Sequence, residues 1–235
     1  MKKALLAALR ADLAAKKSVV LATELATGAA SLVHPFGEGR GVEPRLFAAA
    51  REAAQDDQSR LWQGPAGTVF LRVYNAPVRV VIVGAVHIAQ ALAPMVQLAG
   101  YDVVVVDPRR SFATEARFRG ITLSTDWPDE ALQKLGLDRR TAVVTMTHDP
   151  KIDDPALVAA LRSEVFYIGA LGSKKTQAAR RERLGKLGFD EAAQARVHGP
   201  VGLPIGAVST AEIAVSILSE VVACLRGGQA ALRKP

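Results

Sequence analysis

Three short segments of this chain gather groups suited to binding an anion or moving a proton. The first, Gly84-Ala-Val86-His87-Ile-Ala89, follows the apolar run VRVVIV, and Asp107 then closes YDVVVV just ahead of Arg109 and Arg110. A glycine turn after one strand and an acid after the next is the pattern by which a dinucleotide fold holds a pyrophosphate and a ribose. The match is incomplete. Val86 stands where a second glycine lets backbone approach the pyrophosphate, and Ala89 replaces a third glycine that serves helix packing. Arg109 and Arg110 could meet a 2′-phosphate, which keeps NADP in view, or form a solvated turn. The second segment, Thr147-His148-Asp149-Pro150-Lys151-Ile-Asp153-Asp154, follows TAVVTM. A histidine with three carboxylates at a strand end suits proton transfer or cation binding, so His148 and Asp149 are the catalytic candidates. The alternative is that Asp149 and Asp154 form turns and cap the next helix, with Pro155 at its first position. The third segment, Gly169-Ala-Leu-Gly172-Ser173-Lys174-Lys175-Thr176, joins a strand to a helix and offers free amides, a hydroxyl and two ammonium groups as an anion cradle. It lacks the spacing of a phosphate-hydrolysing P-loop.

The remaining reactive side chains carry less. Ile217, Val221 and Cys224 share one helix face, so Cys224 reads as a packed thiol. His34 stands beside Pro35 with no partner in the sequence pattern and receives no role.

The elements that must position these segments follow from hydrophobic patterning. From Arg79 onward, apolar runs alternate with helices: VRVVIVG, a helix near 87–99, YDVVVVD, a short GITL, a helix near 127–136, TAVVTMT, a helix at 154–162, EVFYIGALG and a helix near 174–187. Unbroken Val and Ile runs mean strands covered on both faces, hence an α/β fold with a Rossmann-like doubly wound parallel sheet. A last helix near 210–226 opens with Ser209-Thr-Ala-Glu212, a capping box. Between the two, His198-Gly-Pro-Val-Gly202-Leu-Pro-Ile-Gly206 is too apolar for a solvated linker and is expected to fold across the sheet edge and help shape the pocket. Residues 1–77 read as a small α+β domain: a helix, SVVLAT at 18–23, AASLVH at 29–34, a helix from Pro44 to Ala54 and GTVFLRVY at 67–74. Asn75-Ala-Pro77 breaks the pattern, and 78–235 forms the second domain.

Composition bounds the function. The 235 residues are 49% hydrophobic and 23% charged, enough for a self-sufficient core. With Cys224 the one cysteine, an intramolecular disulfide and a multi-cysteine metal site are excluded, no residue is assigned to a metal, and a reducing cytoplasm fits best. MKKALLAALRADLAAKK reads as an amphipathic helix rather than a leader, and no apolar run reaches membrane-spanning length. Thirty Lys and Arg against 23 Asp and Glu give +7, which favours acidic or phosphorylated ligands. Nucleic acid is disfavoured, because the positive residues are scattered and only 5% of residues are aromatic.

Five segments in series, VIVGAVHIAQALAP, VVVVDPR, TAVVTMTHDPKIDDPAL, FYIGALGSKKT and GLPIGAVSTAEIAVSILSE, resemble the XdhC/CoxI family, the maturation factors of xanthine dehydrogenase and related molybdenum hydroxylases. The resemblance runs from about Val78 to Arg226. It implies a Rossmann-like domain in a chaperone that binds molybdopterin-type molybdenum cofactor, supports its sulfuration with a cysteine desulfurase, and delivers it to an apo molybdenum hydroxylase. The implied cofactor contacts lie in the turns Gly84 to His87, Thr147 to Asp149 and Gly169 to Lys175. Combined with the residue reading, the contact set becomes Gly84, Val86, His87, Asp107, Arg109, Thr147, His148, Gly169, Gly172, Ser173, Lys174 and Lys175. Longer members carry G-S-x-P-R and S-G-G-C segments in their N-terminal domain; residues 27–41, TGAASLVHPFGEGRG, have neither, so the sulfur is expected to be carried by another protein. The rival expectation is an NADP-dependent oxidoreductase in which Arg109 reads the 2′-phosphate and His148 acts as an acid. A homodimer is expected on base rates alone.

Overall fold

In the computed structural model, which describes residues 3–65 and 67–227, the chain divides into two units between Ala76 and Pro77. The first unit contains α1 (Lys3–Ala14), β1 (Val19–Glu24), β2 (Ala30–Val33), α2 (Pro44–Gln55), β3 (Arg60–Gly64) and β4 (Gly67–Tyr74). Its strands form an antiparallel sheet in the order β2-β1-β4-β3, with Val20 opposite Val33 on one side and Val73 on the other. Glu43 caps α2 by accepting the amides of Arg45 and Leu46, and Pro44 supplies a helix-ready φ at the first position. The helix then buries Ala50, Ala53 and Ala54 against Val20, Ala22 and Leu71. Strand β3, which carries Trp62, is absent from the sequence reading because RLWQG lacks a continuous apolar run.

The second unit contains β5 (Arg79–Val83), α3 (His87–Leu98), β6 (Asp102–Val106), β7 (Thr122–Ser124), α4 (Pro128–Leu135), β8 (Thr141–Thr145), α5 (Pro150–Leu161), β9 (Tyr167–Ala170), α6 (Lys174–Lys186), α7 (Glu191–Gln194), β10 (Val197–His198) and α8 (Thr210–Leu225). Trp127 precedes α4 at its N-cap. The strands pair in the order β7-β6-β5-β8-β9-β10, all in parallel. This is the order of dinucleotide-binding sheets, with the reversal of direction between β5 and β8. The alternation of side chains along each strand feeds two cores. Val80, Ile82, Val105 and Val144 face α3 and α8. Val81, Val83, Val106, Val143 and Ile168 face α4, α5 and α6. Both faces are covered by helices, which is why these strands read as unbroken apolar runs.

One helix boundary differs from expectation. Helix α5 begins at Pro150, not at 154: Asp149 is the cap, accepting from Lys151 N, and Pro155 lies within the helix. Asp154 instead pairs with Arg183 of α6, with Oδ2 2.6 Å from Nε. Strand β10 extends the sheet edge beside Ile168 and Gly169. A cis Gly199–Pro200 bond follows it, and Val201 N then donates to Ala170 O. The Ser209–Glu212 capping box is present at the start of α8.

Candidate functional site

The parallel arrangement brings the loops after β6, β5, β8 and β9 to one edge, side by side in that order. At the reversal point the loops after β5 and β8 touch. Gly84 has φ +112°, and a Cβ built there would lie 2.6 Å from Thr147 Cγ2. Glycine is therefore required twice, by its backbone conformation and by the approach of the neighbouring loop. Val86 is the N-cap of α3, in extended conformation and without a side-chain cap hydrogen bond. Its side chain packs against the core on the α3 face. His87, the first helical residue, is exposed.

Asp107 leaves the end of β6 and is wholly buried, with 0% exposure. Its Oδ2 accepts from Ala85 N at 2.8 Å and Arg109 Nη2 at 2.7 Å. Its Oδ1 accepts from Arg109 N at 3.0 Å and Arg109 Nε at 2.9 Å. Burial works against ionisation, but these bonds, led by the one from the Arg109 side chain, outweigh it and hold the carboxyl below its ordinary value. Arg109 is raised above its own ordinary value, chiefly by its hydrogen bond to Asp107, with smaller contributions from Asp149 and Asp153 across the reversal point. Its guanidinium also lies 4.3 Å from the centroid of the Phe112 ring. Asp107 and Arg109 thus meet each other rather than standing as separate ligand groups.

In the loop after β8, His148 is exposed and has φ +63°, a left-handed conformation rare for a residue with a Cβ. Thr147 directs both its amide and its hydroxyl to Asp153 Oδ1, at 3.2 and 2.7 Å, and its Oγ1 accepts from Asp149 N. Asp153 is buried, and its Oδ2 lies 3.5 Å from Nη2 of the equally buried Arg180. Desolvation dominates both groups. It pushes Asp153 above its ordinary value despite the Thr147 bonds, and lowers Arg180 despite the attraction of Asp153. Arg180 Nη2 also donates to Leu171 O, and Gln177 Nε2 donates to Ala170 O. The pair therefore ties the loop after β8 to the loop after β9. Sequence reasoning missed it. The available signal was periodicity: Gln177, Arg180 and Leu184 occupy the buried stripe of α6, where two polar residues stand in core positions.

After β9, Gly172 has φ +135°, Ser173 caps α6 by accepting from Thr176 N, and Lys174 and Lys175 are exposed at the first helical positions. Gly169 lies inside β9, where a Cβ would come 2.6 Å from Val201 Cγ2; packing accounts for this glycine. The structure thus gathers His87, Thr147, His148, Gly172, Ser173, Lys174 and Lys175 on the loops of one sheet edge. Asp107 and Gly169 are buried within the framework beneath.

Away from that edge, Tyr167 donates to Glu220 Oε2 at 2.7 Å, Gly202 N donates to the same oxygen, and His198 Nδ1 lies 3.0 Å from Oε1. This network fastens the His198–Gly206 segment to α8. Cys224, one turn beyond Glu220, packs against the α3 and α8 core. In the first unit, His34 Nε2 lies 2.9 Å from Asp12 Oδ2. Among the described residues no group of three or more His, Cys, Asp or Glu could hold a metal ion. Within the same residues no helix is long and apolar enough to cross a membrane.

The family model for the XdhC Rossmann domain matches residues 80–221, from β5 into α8. The molybdenum cofactor insertion chaperone PaoD of Escherichia coli (strain K12) is 31% identical over 144 residues, covering 61% of this chain and 39% of its own. A probable xanthine dehydrogenase subunit of Bacillus subtilis (strain 168) is 30% identical over 155 residues, 66% of this chain and 45% of that protein. The crystal structure of a protein described as a xanthine dehydrogenase from Bacillus halodurans superposes with a TM-score of 0.63 at 26% identity, covering 94% of this chain and 62% of that one. The chain spans less than half the length of either curated relative.

Proposed function

The chain belongs to the XdhC family, and on that premise we propose that it is a maturation factor that holds molybdopterin-type molybdenum cofactor as cargo for insertion into a molybdenum hydroxylase. The observation that carries this reading is the extent of the family match, which includes all four loops of the sheet edge. A basic protein with exposed ammonium groups at a helix N-terminus suits a phosphate-bearing cargo. In this reading Lys174, Lys175 and the first amides of α6 take the phosphate, and exposed His87 and His148 orient the pterin. Thr147 and Asp149 form the turn that presents His148. Asp107 acts from beneath, by holding Arg109 and the Gly84 loop. Sulfur reaches the cargo from a separate cysteine desulfurase, and the acceptor is an apo hydroxylase of the xanthine dehydrogenase type. The NADP-dependent alternative loses support here, because Arg109 turns back onto Asp107 and Val86 remains at the second glycine position.

The test is anaerobic incubation with molybdenum cofactor, then size-exclusion chromatography with fluorescence detection of the oxidised pterin. Co-elution with the protein is the expected result. Pterin that never co-elutes, while a longer family member retains it in parallel, overturns the reading.

A further inference from the structure

Dinucleotide-binding sheets place an acid at the end of the second strand to accept the hydroxyls of a ribose. Asp107 occupies that place at the end of β6, but its carboxylate already receives four N–H groups, filling the roughly four lone-pair directions a carboxylate offers. Two come from the Arg109 side chain in the bidentate geometry that makes such pairs strong. The guanidinium also lies over the Phe112 ring, 4.3 Å from its centroid, and Arg117 approaches the same ring at 5.7 Å. A neutral diol could reach the carboxylate only if the side chain gave up both the bidentate pair and the ring contact. In a site built to read a 2′-phosphate the arginine would reach outward; here it reaches inward.

We propose that Arg109 determines specificity by closing the ribose subsite, so that this Rossmann-like sheet refuses ribose-diol nucleotides such as NAD. The Asp107–Arg109 pair replaces an acceptor of hydroxyls with a cation. Its Nη1 has no hydrogen-bond partner among the described residues, and the side chain keeps 34% exposure. The inference goes beyond the proposed cargo and stands whether or not the protein carries a pterin.

The experiment removes the two obstacles one at a time in the full chain and titrates NAD by calorimetry. Val86→Gly alone is expected to leave binding undetectable or very weak, because the carboxylate stays covered. Val86→Gly with Arg109→Ala uncovers it and is expected to bind NAD about 10- to 100-fold more tightly than Val86→Gly alone, the gain from new hydrogen bonds to a charged acceptor. NADP, whose 2′-phosphate would confront the freed carboxylate, should show no such gain. Arg109→Ser in the same background carries the same expectation if the alanine variant fails a thermal-melt check of folding. The proposal is overturned if Val86→Gly alone binds NAD as tightly as the double variant, if the double variant gains nothing, or if NADP gains as much as NAD.

Discussion

At the scale of single residues, the two buried acids of this sheet edge behave in opposite ways. Asp107 is over-supplied with donors, whereas Asp153 shares one oxygen with Thr147 and faces Arg180 across 3.5 Å with the other. A buried pair with that geometry is costly to break and cheap to remove, because a lone partner is left as an uncompensated charge. Arg180→Met is expected to cost about 3–5 kcal/mol in denaturant unfolding. Asp153→Asn with Arg180→Met should cost less than Arg180→Met alone; additive costs would show that the two groups do not interact. Acid titration separates the two carboxyls. Asp107 is depressed in the fold, so its stabilisation is complete above the ordinary carboxyl value of 3.8 and fades as pH falls through its lower folded value. Asp153 is raised, so its ionisation costs stability as pH climbs through the elevated value. The stability gap between wild type and Asp107→Asn should therefore narrow as pH falls from above 3.8 through the lowered folded value, read as urea midpoints. A gap that stays constant would mean that the carboxylate charge contributes nothing.

At the scale of elements, the loops after β5 and β8 act as one piece because Gly84 leaves no room between them. Gly84→Ala combines a strained positive φ with a clash on Thr147 Cγ2 and is expected to cost about 2–4 kcal/mol. Thr147→Ser keeps the hydroxyl that Asp153 accepts and removes the clashing methyl, so in that background the cost should fall to about 1–3 kcal/mol, the backbone term alone. Equal costs in the two backgrounds, measured by thermal unfolding, would show that the loops are not in contact. What the sequence disclosed and what it hid divide along the same line. The runs VRVVIV, YDVVVV and TAVVT announce strands because each is covered on both faces, and their order with intervening helices implies a sheet edge with these loops on it. The start of α5 was not legible, since Asp149-Pro150 and Asp154-Pro155 are equivalent local signals, and it is Arg183, on another helix, that engages Asp154. Nor was the inward turn of Arg109, or the packing of Gly169 on Val201. Each depends on a contact that local patterning does not encode, and these contacts separate the exposed members of the site from its framework.

At the scale of the whole molecule, the chain carries two units of different construction, an antiparallel sheet with α2 against it and a parallel sheet covered on both faces. The family match lies within the second unit, and in the first the helix α2 gives the buried core only the small side chains of Ala50, Ala53 and Ala54. That contrast leads us to expect different resistance to denaturant in the two. The chain has two tryptophans, Trp62 on β3 in the first unit and Trp127 before α4 in the second. Replacing one with phenylalanine leaves emission from the other unit alone, so the protein carries its own pair of optical channels without any dye. Trp127→Phe followed in urea reports the antiparallel unit, and Trp62→Phe the parallel one. The expected midpoints are separate, with the Trp62 signal lost first; coincident curves would mean that both units melt in one cooperative step. The same two emission signals, one per unit, would then show which half of the protein responds when a small ligand or a second protein is added.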